Sequence, residues 1–481
     1  MRSLSIPVII IVTALFGISC GDQRVEQKEA ADLAITGAIV VHPDSEKAPK
    51  VEDIVVREGK IVAVGPGVAK RYDPKQIYDA RGKFIIPGLA DMHSHFGNGI
   101  LEPEADDTKQ VLARHLYFGN TTILNLGSSQ AWPTRIDALR SDLGSGKIQG
   151  PRLLAVGSLM TIPGSHPVAT ISSPPVQKKI EEIVSKDDGE GPIDLAPFRA
   201  ITLVRDADDV TEEVRRVAEW GADAIKLTVE SGPGRFGDDH PQMSPEMIRA
   251  AADAAKPYGI PVLCHVSSMD ELEACLGNGA NGIVHGVTDD RDQFPDDLEA
   301  GMKEEGFVEI PTAAMFDGWY RYTKDPSLLD SEYLKPVLSE GELGWLKSPG
   351  MIESFSIDDD WADENIGRLG RHLKKFGDSG GTIVAGTDTG NPYRIAGFAL
   401  HEEIAFYVKH GLTPKEALKT ATVNAARLVG DENEWGRIRN GLAADLVILN
   451  RNPLEDIANT LSIAEVIKAG KLVDRSSLPL R

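Results

Sequence analysis

The chain is predicted to fold as an α/β protein: a (β/α)8 TIM barrel joined to a small β-sandwich domain formed from its N- and C-terminal segments. Three observations carry this prediction. Eight short apolar runs alternate with helical patterns through the middle of the chain, which is the signature of a parallel sheet wrapped by helices. Both ends are instead rich in short strand patterns separated by Gly, Asp and charged turns. The 481 residues, 41% hydrophobic and 26% charged, suit a globular barrel of roughly 250 residues with an added domain and are far from a disordered composition.

The elements follow in order. Residues 1–20, "MRSLSIPVIIIVTALFGISC", place Arg2 before an apolar run from Ile6 to Ile18 and end at Ser19-Cys20. The run is shorter than the ~20 residues of a membrane span and suits a signal-peptide core. Small residues before Cys20 predict cleavage of the lipoprotein type, with plain secretory cleavage near Ser19 as the other reading. The mature protein is then expected to be exported to the periplasm or cell envelope, touching a membrane only through a lipidated Cys20. Residues 21–31 read as a polar tether. Strand patterns at 32–84 and 436–481 form the two parts of the β-sandwich, and 85–435 forms the barrel. Its strands are expected at 85–95, "TTILNLG", "RLLAVG", "DAIKLTV", "PVLCHV", "GIVHG", "GFVEIPT" and "GTIVAGTD". The segments 158–200 and 313–366 read as long loops, hence candidate substrate loops.

Charge narrows the functional classes. With 73 acidic against 51 basic side chains the net charge is −22, and no Lys/Arg-rich run offers a nucleic-acid surface. Cys264 and Cys275 fall on a predicted strand and the helix after it; they read as two reduced, buried thiols, with a disulfide as the alternative reading.

In a barrel of this kind the site forms at the C-terminal ends of the strands. Those ends carry His93 and His95 in "DMHSHF", Lys226, His265, His285 and Asp388. Each has a plain structural reading: a hydrogen-bonded core histidine, a lysine snorkelling to the rim, an aspartate capping a helix. Convergence on one face favours a metal centre, because imidazole and carboxylate are the donors that zinc and similar divalent ions take. Lys226 is the decisive residue, set inside an apolar strand where an ammonium is costly to desolvate. A neutral lysine amine reacts with CO2 to form a carbamate, an anion with two oxygens that can bridge two cations.

The set "HSH", "AIKL", "CHV", "VHG" and "GTDTG", with "GKFIIPGLADMHSHF", "GLTPKEALKTATVNAARLVG" and "GRIRNGLAADLVILNRNPLEDI", resembles the amidohydrolase superfamily. The resemblance covers the chain beyond about residue 32 and is nearest the prolidase-like branch, which cleaves Xaa-Pro dipeptides or N-acyl amino acids. It implies two divalent metal ions, zinc first among them. His93 and His95 would bind the more buried ion, His265 and His285 the more exposed one, and carboxylated Lys226 would bridge them. Asp388 would bind the buried ion and exchange a proton with the hydroxide between the two. His166, in "PGSHP" where that branch commonly has Gly-Gly-His, would polarise the substrate carbonyl. Arg321 and Arg394 are candidate anchors for an anionic small-molecule substrate, and each also reads as an ordinary surface charge. The superfamily's deaminases usually carry a glutamate three residues after the strand-five histidine; Ser268 stands there, which favours hydrolysis of an amide, ester or lactone. A non-catalytic metal-bearing binding protein is the competing class, and homo-oligomerisation is left open.

Overall fold

The computed structural model describes residues 28–95, 108–127, 134–171, 174–187, 189–195, 201–230, 240–287 and 296–481. The expected signal peptide and most of the expected tether lie outside the described residues. Residues 29–31 of that tether belong instead to a strand, Glu29–Val40, because they pair in parallel with Tyr72–Pro74 and bury Ala31.

Both ends of the chain do share one sheet. It runs through Lys471–Leu472, Ile463–Lys468, Leu446–Leu449, Phe84–Pro87, Glu29–Val40, Lys50–Arg57 and Lys60–Gly65, and Tyr72–Asp79 pairs with the long Glu29–Val40 strand. That strand bends at a bulge between Ile35 and Ala38, where Gly37 adopts φ 72°. The sheet curls so that its Lys60–Gly65 edge reaches the segment leading into Leu446–Leu449: Ile61 N donates to Leu442 O at 2.8 Å and Ala444 N to Gly59 O at 2.8 Å. Ile35, Ile54, Ile61, Ile85, Ile448 and Ile467 fill the core it encloses.

The barrel strands are Leu89–Ser94, Asn120–Asn125, Arg152–Ala155, Ile225–Thr228, Val262–His265, Gly282–Val284, Val308–Ile310 and Thr382–Ile383, all paired in parallel. The third continues after a break as Leu159–Thr161, and only this second part pairs with strand four. Strands one, two and the first part of strand three form one sheet, and the second part of strand three joins strands four to eight in another. Backbone bonds join them at both edges: Asp223 N to Ala155 O (2.9 Å) on one side, Met92 N to Ala385 O (2.9 Å) and Asp388 N to His93 O (2.8 Å) on the other. The runs are buried along almost their whole length and mostly apolar because strands covered by helices are buried on both faces. Ala90, Leu124, Leu154, Leu263, Ile310 and Val384 pack inside, whereas Ile123, Leu153, Ile225, Leu227, Val262 and Ile283 pack in the larger cluster with the helices.

The segments 158–200 and 313–366 are not the long loops expected. They contain helices Pro174–Val184, Ala314–Lys324, Glu340–Leu346 and Pro349–Phe355, and the acidic run at 358–360 opens a further helix, Asp359–Asp378. The start signals are local. Ser339 and Glu342 form a capping box, Ser348 and Asp358 accept from backbone N–H groups of the first turn, and Pro349 sits at the first helical position. Trp319 and Tyr322, three apart, pack on the barrel side.

Candidate metal centre

Strand one brings in two histidines through a backbone irregularity. Asp91 pairs with Ile123 and Ser94 with Asn125, so strand one spends three steps where strand two spends two. Such a bulge reverses the alternation of side chains. Ala90 and Met92 point into the barrel core, and past the bulge the odd-numbered His93 and His95 take over the inward face. Strand eight then lies close against them. A Cβ on Gly386 would sit 2.4 Å from Ile310 Cγ2 and 2.7 Å from His93 Cβ, and one on Gly390 2.8 Å from His95 Cβ. The glycines of "GTDTG" are therefore what lets Asp388 reach both imidazoles. Asp91 ties the two strands together, accepting from Thr387 Oγ1 at 2.7 Å, Thr387 N at 3.1 Å and His93 N at 3.2 Å.

The expected residues converge. Asp388 Oδ1 lies 3.3 Å from His93 Nε2 and 3.1 Å from His95 Nε2. The His285 ring is centred 4.8 Å from His93 and 4.2 Å from His265, and the His166 ring 4.6 Å from His265. Lys226, 1% exposed, sits in the same charge field, interacting with Asp388 and with His93, His265 and His285. By simple alternation from inward Val284, His285 would face outward. Its φ of 68° turns it back, and its Nδ1 meets Thr312 Oγ1 at 2.9 Å. Thr312 and Asp388 are also in the left-handed region, at φ 45° and 57°. Each such residue costs on the order of 1–3 kcal/mol and persists only where its surroundings hold it.

The electrostatics suit cation binding. Burial pushes the Lys226 ammonium from 10.5 down to about 7, although Asp388 pulls the other way, so the amine is readily neutral. Burial, then Lys226 and the neighbouring imidazoles, hold His93 and His265 well below the ordinary 6.5, and His285 follows for the same reasons. Burial raises the Asp388 carboxyl, but the contact with His95 and the nearby His285 and Lys226 outweigh it and bring the group to about 2.

The donor atoms themselves ask for a cation. His95 Nδ1 contacts Gly127 O, an acceptor only, so its proton lies there and its Nε2 carries a lone pair. That lone pair faces a carboxylate oxygen at 3.1 Å, an arrangement stable only with a positive charge, proton or metal ion, between them. His93 Nδ1 is buried with no hydrogen-bond partner. A divalent ion held by His93, His95 and Asp388 fits these residues.

Two features lay beyond the sequence reading. Glu230 places Oε2 2.6 Å from His265 Nε2 and 4.0 Å from His166 Nδ1, so His166, Glu230 and His265 make a second group able to hold a cation. The signal was present, since Lys226, Thr228 and Glu230 alternate along one face of strand four. Arg394, in turn, is no surface charge. Its side chain is fully buried, bonded to Ala314 O (3.0 Å), Glu402 Oε2 (3.2 Å) and Ala399 O (3.2 Å). Arg321 pairs with Asp317 and Glu402 at 2.6 and 2.7 Å. Ser268 caps helix Met269–Gly277 and is thereby engaged in the backbone. Cys264 and Cys275 are both buried free thiols.

Comparison with known proteins bears on the fold and the family. The chain is 26% identical to ochratoxinase of Aspergillus niger over 92% of its own length and 87% of that protein. Its structure is similar to that of a Xaa-Pro dipeptidase with methionine bound in the active site, at TM-score 0.70 and 24% identity, covering 92% of this chain and 99% of the other. It is also similar to molinate hydrolase, at TM-score 0.68 and 20% identity, covering 94% and 97%. The family model for the amidohydrolase family matches residues 84–473. That match takes in the three strands that end at His93 and His95, at His265 and at His285, the lysine strand and the Asp388 turn, and the chain belongs to the amidohydrolase family, whose members are metal-dependent hydrolases.

Proposed function

We propose that this chain cleaves the carbon–nitrogen bond of a small peptide-like amide, an Xaa-Pro dipeptide or an N-acyl amino acid. The observation that carries the reading is the buried, readily neutral Lys226 set among four histidines and Asp388. His93, His95 and Asp388 would hold one divalent ion and His265 and His285 another, with carboxylated Lys226 shared between them and zinc the ion that best suits these donors. When bound, such ions lower the pKa of water and polarise a carbonyl.

The chain's own residues supply the proton steps. The Asp388 carboxylate, held by His93 and His95 at the mouth of strand one, accepts a proton from the attacking water and returns it to the leaving nitrogen. At His166, Thr170 Oγ1 lies 2.6 Å from Nδ1. With the hydroxyl as donor, the ring proton lies on Nε2, the group that would donate to the substrate carbonyl oxygen as charge grows there. Arg394 and Arg321 are committed to protein carboxylates, so neither is assigned as the substrate anchor. The Xaa-Pro dipeptidase fold and the ochratoxinase relative support an amide; engagement of Ser268 in a helix cap speaks against deamination. Lactone or ester hydrolysis is the second reading, carried by the same site. Export and lipid attachment at Cys20 are proposed from the first twenty residues, with lipid label lost in Cys20→Ala as the check.

The test is a hydrolysis screen of zinc-reconstituted protein lacking residues 1–20 against Xaa-Pro dipeptides and N-acyl amino acids, with metal counted on the same sample. Turnover with about two ions per chain is expected. Two ions without amide turnover would move the assignment to esters and lactones. Fewer than one tightly held ion would return the chain to the binding-protein class.

A further inference from the structure

Glu230 has no part in the proton steps above, yet it is buried in the site at 6% exposure. Its Oε2 is 2.6 Å from His265 Nε2, the short separation of a charge-assisted hydrogen bond. A carboxylate only accepts, and an imidazole that serves as a metal ligand is neutral, with one N–H and one lone pair. The N–H of His265 therefore lies on Nε2 and its lone pair on Nδ1. The hydrogen bond of His95 sorts that ring the other way, with Nδ1 toward Gly127 O and Nε2 toward Asp388.

We infer that Glu230 is a positioning residue for the second ion: by taking the Nε2–H of His265 it sets the tautomer and the ring plane so that Nδ1 is the donor. This rests on the metal-centre reading above. The placement follows from strand four and the two residues after it, which send Lys226 and Glu230 to the same face two alternations apart. Partners of this type orient a ligating imidazole and raise its basicity, and their loss typically weakens metal affinity about 10- to 100-fold. The effect belongs to one ion only. The ion at His93, His95 and Asp388 has its own outer contacts, at Gly127 O and through Asp91, and is left alone.

The experiment is metal titration of the wild type, Glu230→Gln and Glu230→Leu with Co2+, following stoichiometry, the affinity of each ion by chelator competition, and paramagnetically shifted exchangeable imidazole protons. We expect Glu230→Leu to keep the first ion and bind the second about 10- to 100-fold more weakly, with one shifted N–H resonance exchanging away. Glu230→Gln, whose amide oxygen still accepts from Nε2–H, should recover most of that affinity. Unchanged affinities and resonances in Glu230→Leu would overturn the inference. So would a Glu230→Gln as weak as Glu230→Leu with no N–H signal for His265 in the wild type, which would make the carboxylate a direct ligand. A wild type that holds fewer than two ions would instead overturn the metal-centre reading itself, and this inference with it.

Discussion

Replacing Lys226 by methionine should separate stability from function, because the same buried amine weakens the metal-free fold and completes the site. Burial lowers this lysine from 10.5 to about 7. At about 1.4 kcal/mol per pH unit, that amounts to ~5 kcal/mol against the folded state wherever the amine is charged in both states. The unfolded chain keeps its proton up to about 10.5 while the folded chain releases it near 7. Between these values the unfolded state binds more protons, so wild-type stability rises with pH. Below about 7 the full cost is present, and above about 10.5 it is gone. Methionine fills a similar volume and carries no charge. Metal-free Lys226→Met, in buffer without CO2, should therefore exceed the wild type in denaturant-derived stability by up to ~5 kcal/mol near pH 6.5, shrinking to ~1.5 kcal/mol near pH 9.5. The same variant reconstituted with zinc should lack at least one ion and nearly all turnover, and bicarbonate should restore neither. A gap that does not shrink with pH, or a wild type that is the more stable at both, would refute the burial argument. A fully active variant would refute the bridging role.

Other perturbations probe the rest of the site. Asp388→Asn should lower kcat by about 10²- to 10⁴-fold and weaken the ion at His93 and His95, read by steady-state kinetics and metal analysis. Gly386→Ala would drive a methyl to 2.4 Å from Ile310 and 2.7 Å from His93; a stability loss of about 1–3 kcal/mol, together with a metal deficit, should appear in urea midpoints and elemental analysis. Arg394→Met strips a fully buried cation from beside Glu402 and Glu403 and should cost about 3–5 kcal/mol in chemical denaturation.

That both ends contribute strands to one sheet was readable because strands announce themselves through short apolar runs with turn residues between them. The helices inside 158–200 and 313–366 were not, although the capping box at Ser339 and the caps at Ser348 and Asp358 are local signals; a long connection between barrel strands hides them among polar residues. Arg394 looked like a surface charge since sequence does not reveal that Glu402, eight residues on, and three carbonyls would enclose it. Glu230 was within reach of the sequence, since it lies four residues beyond Lys226 and strand alternation sends both to the same face.

By itself the order of residues determined which side chains end the barrel strands and what chemistry they can do. A lysine inside an apolar strand, four histidines and an aspartate are identities, and ligand chemistry follows from identity. Only the tertiary structure decided how they face one another. The bulge after Asp91 turns His93 and His95 inward, the left-handed backbone at His285 returns its ring to the site, and Gly386 and Gly390 let strand eight close to within contact of strand one. Each of these depends on backbone geometry imposed by a neighbouring strand, an interaction between residues far apart in the chain that no local pattern encodes.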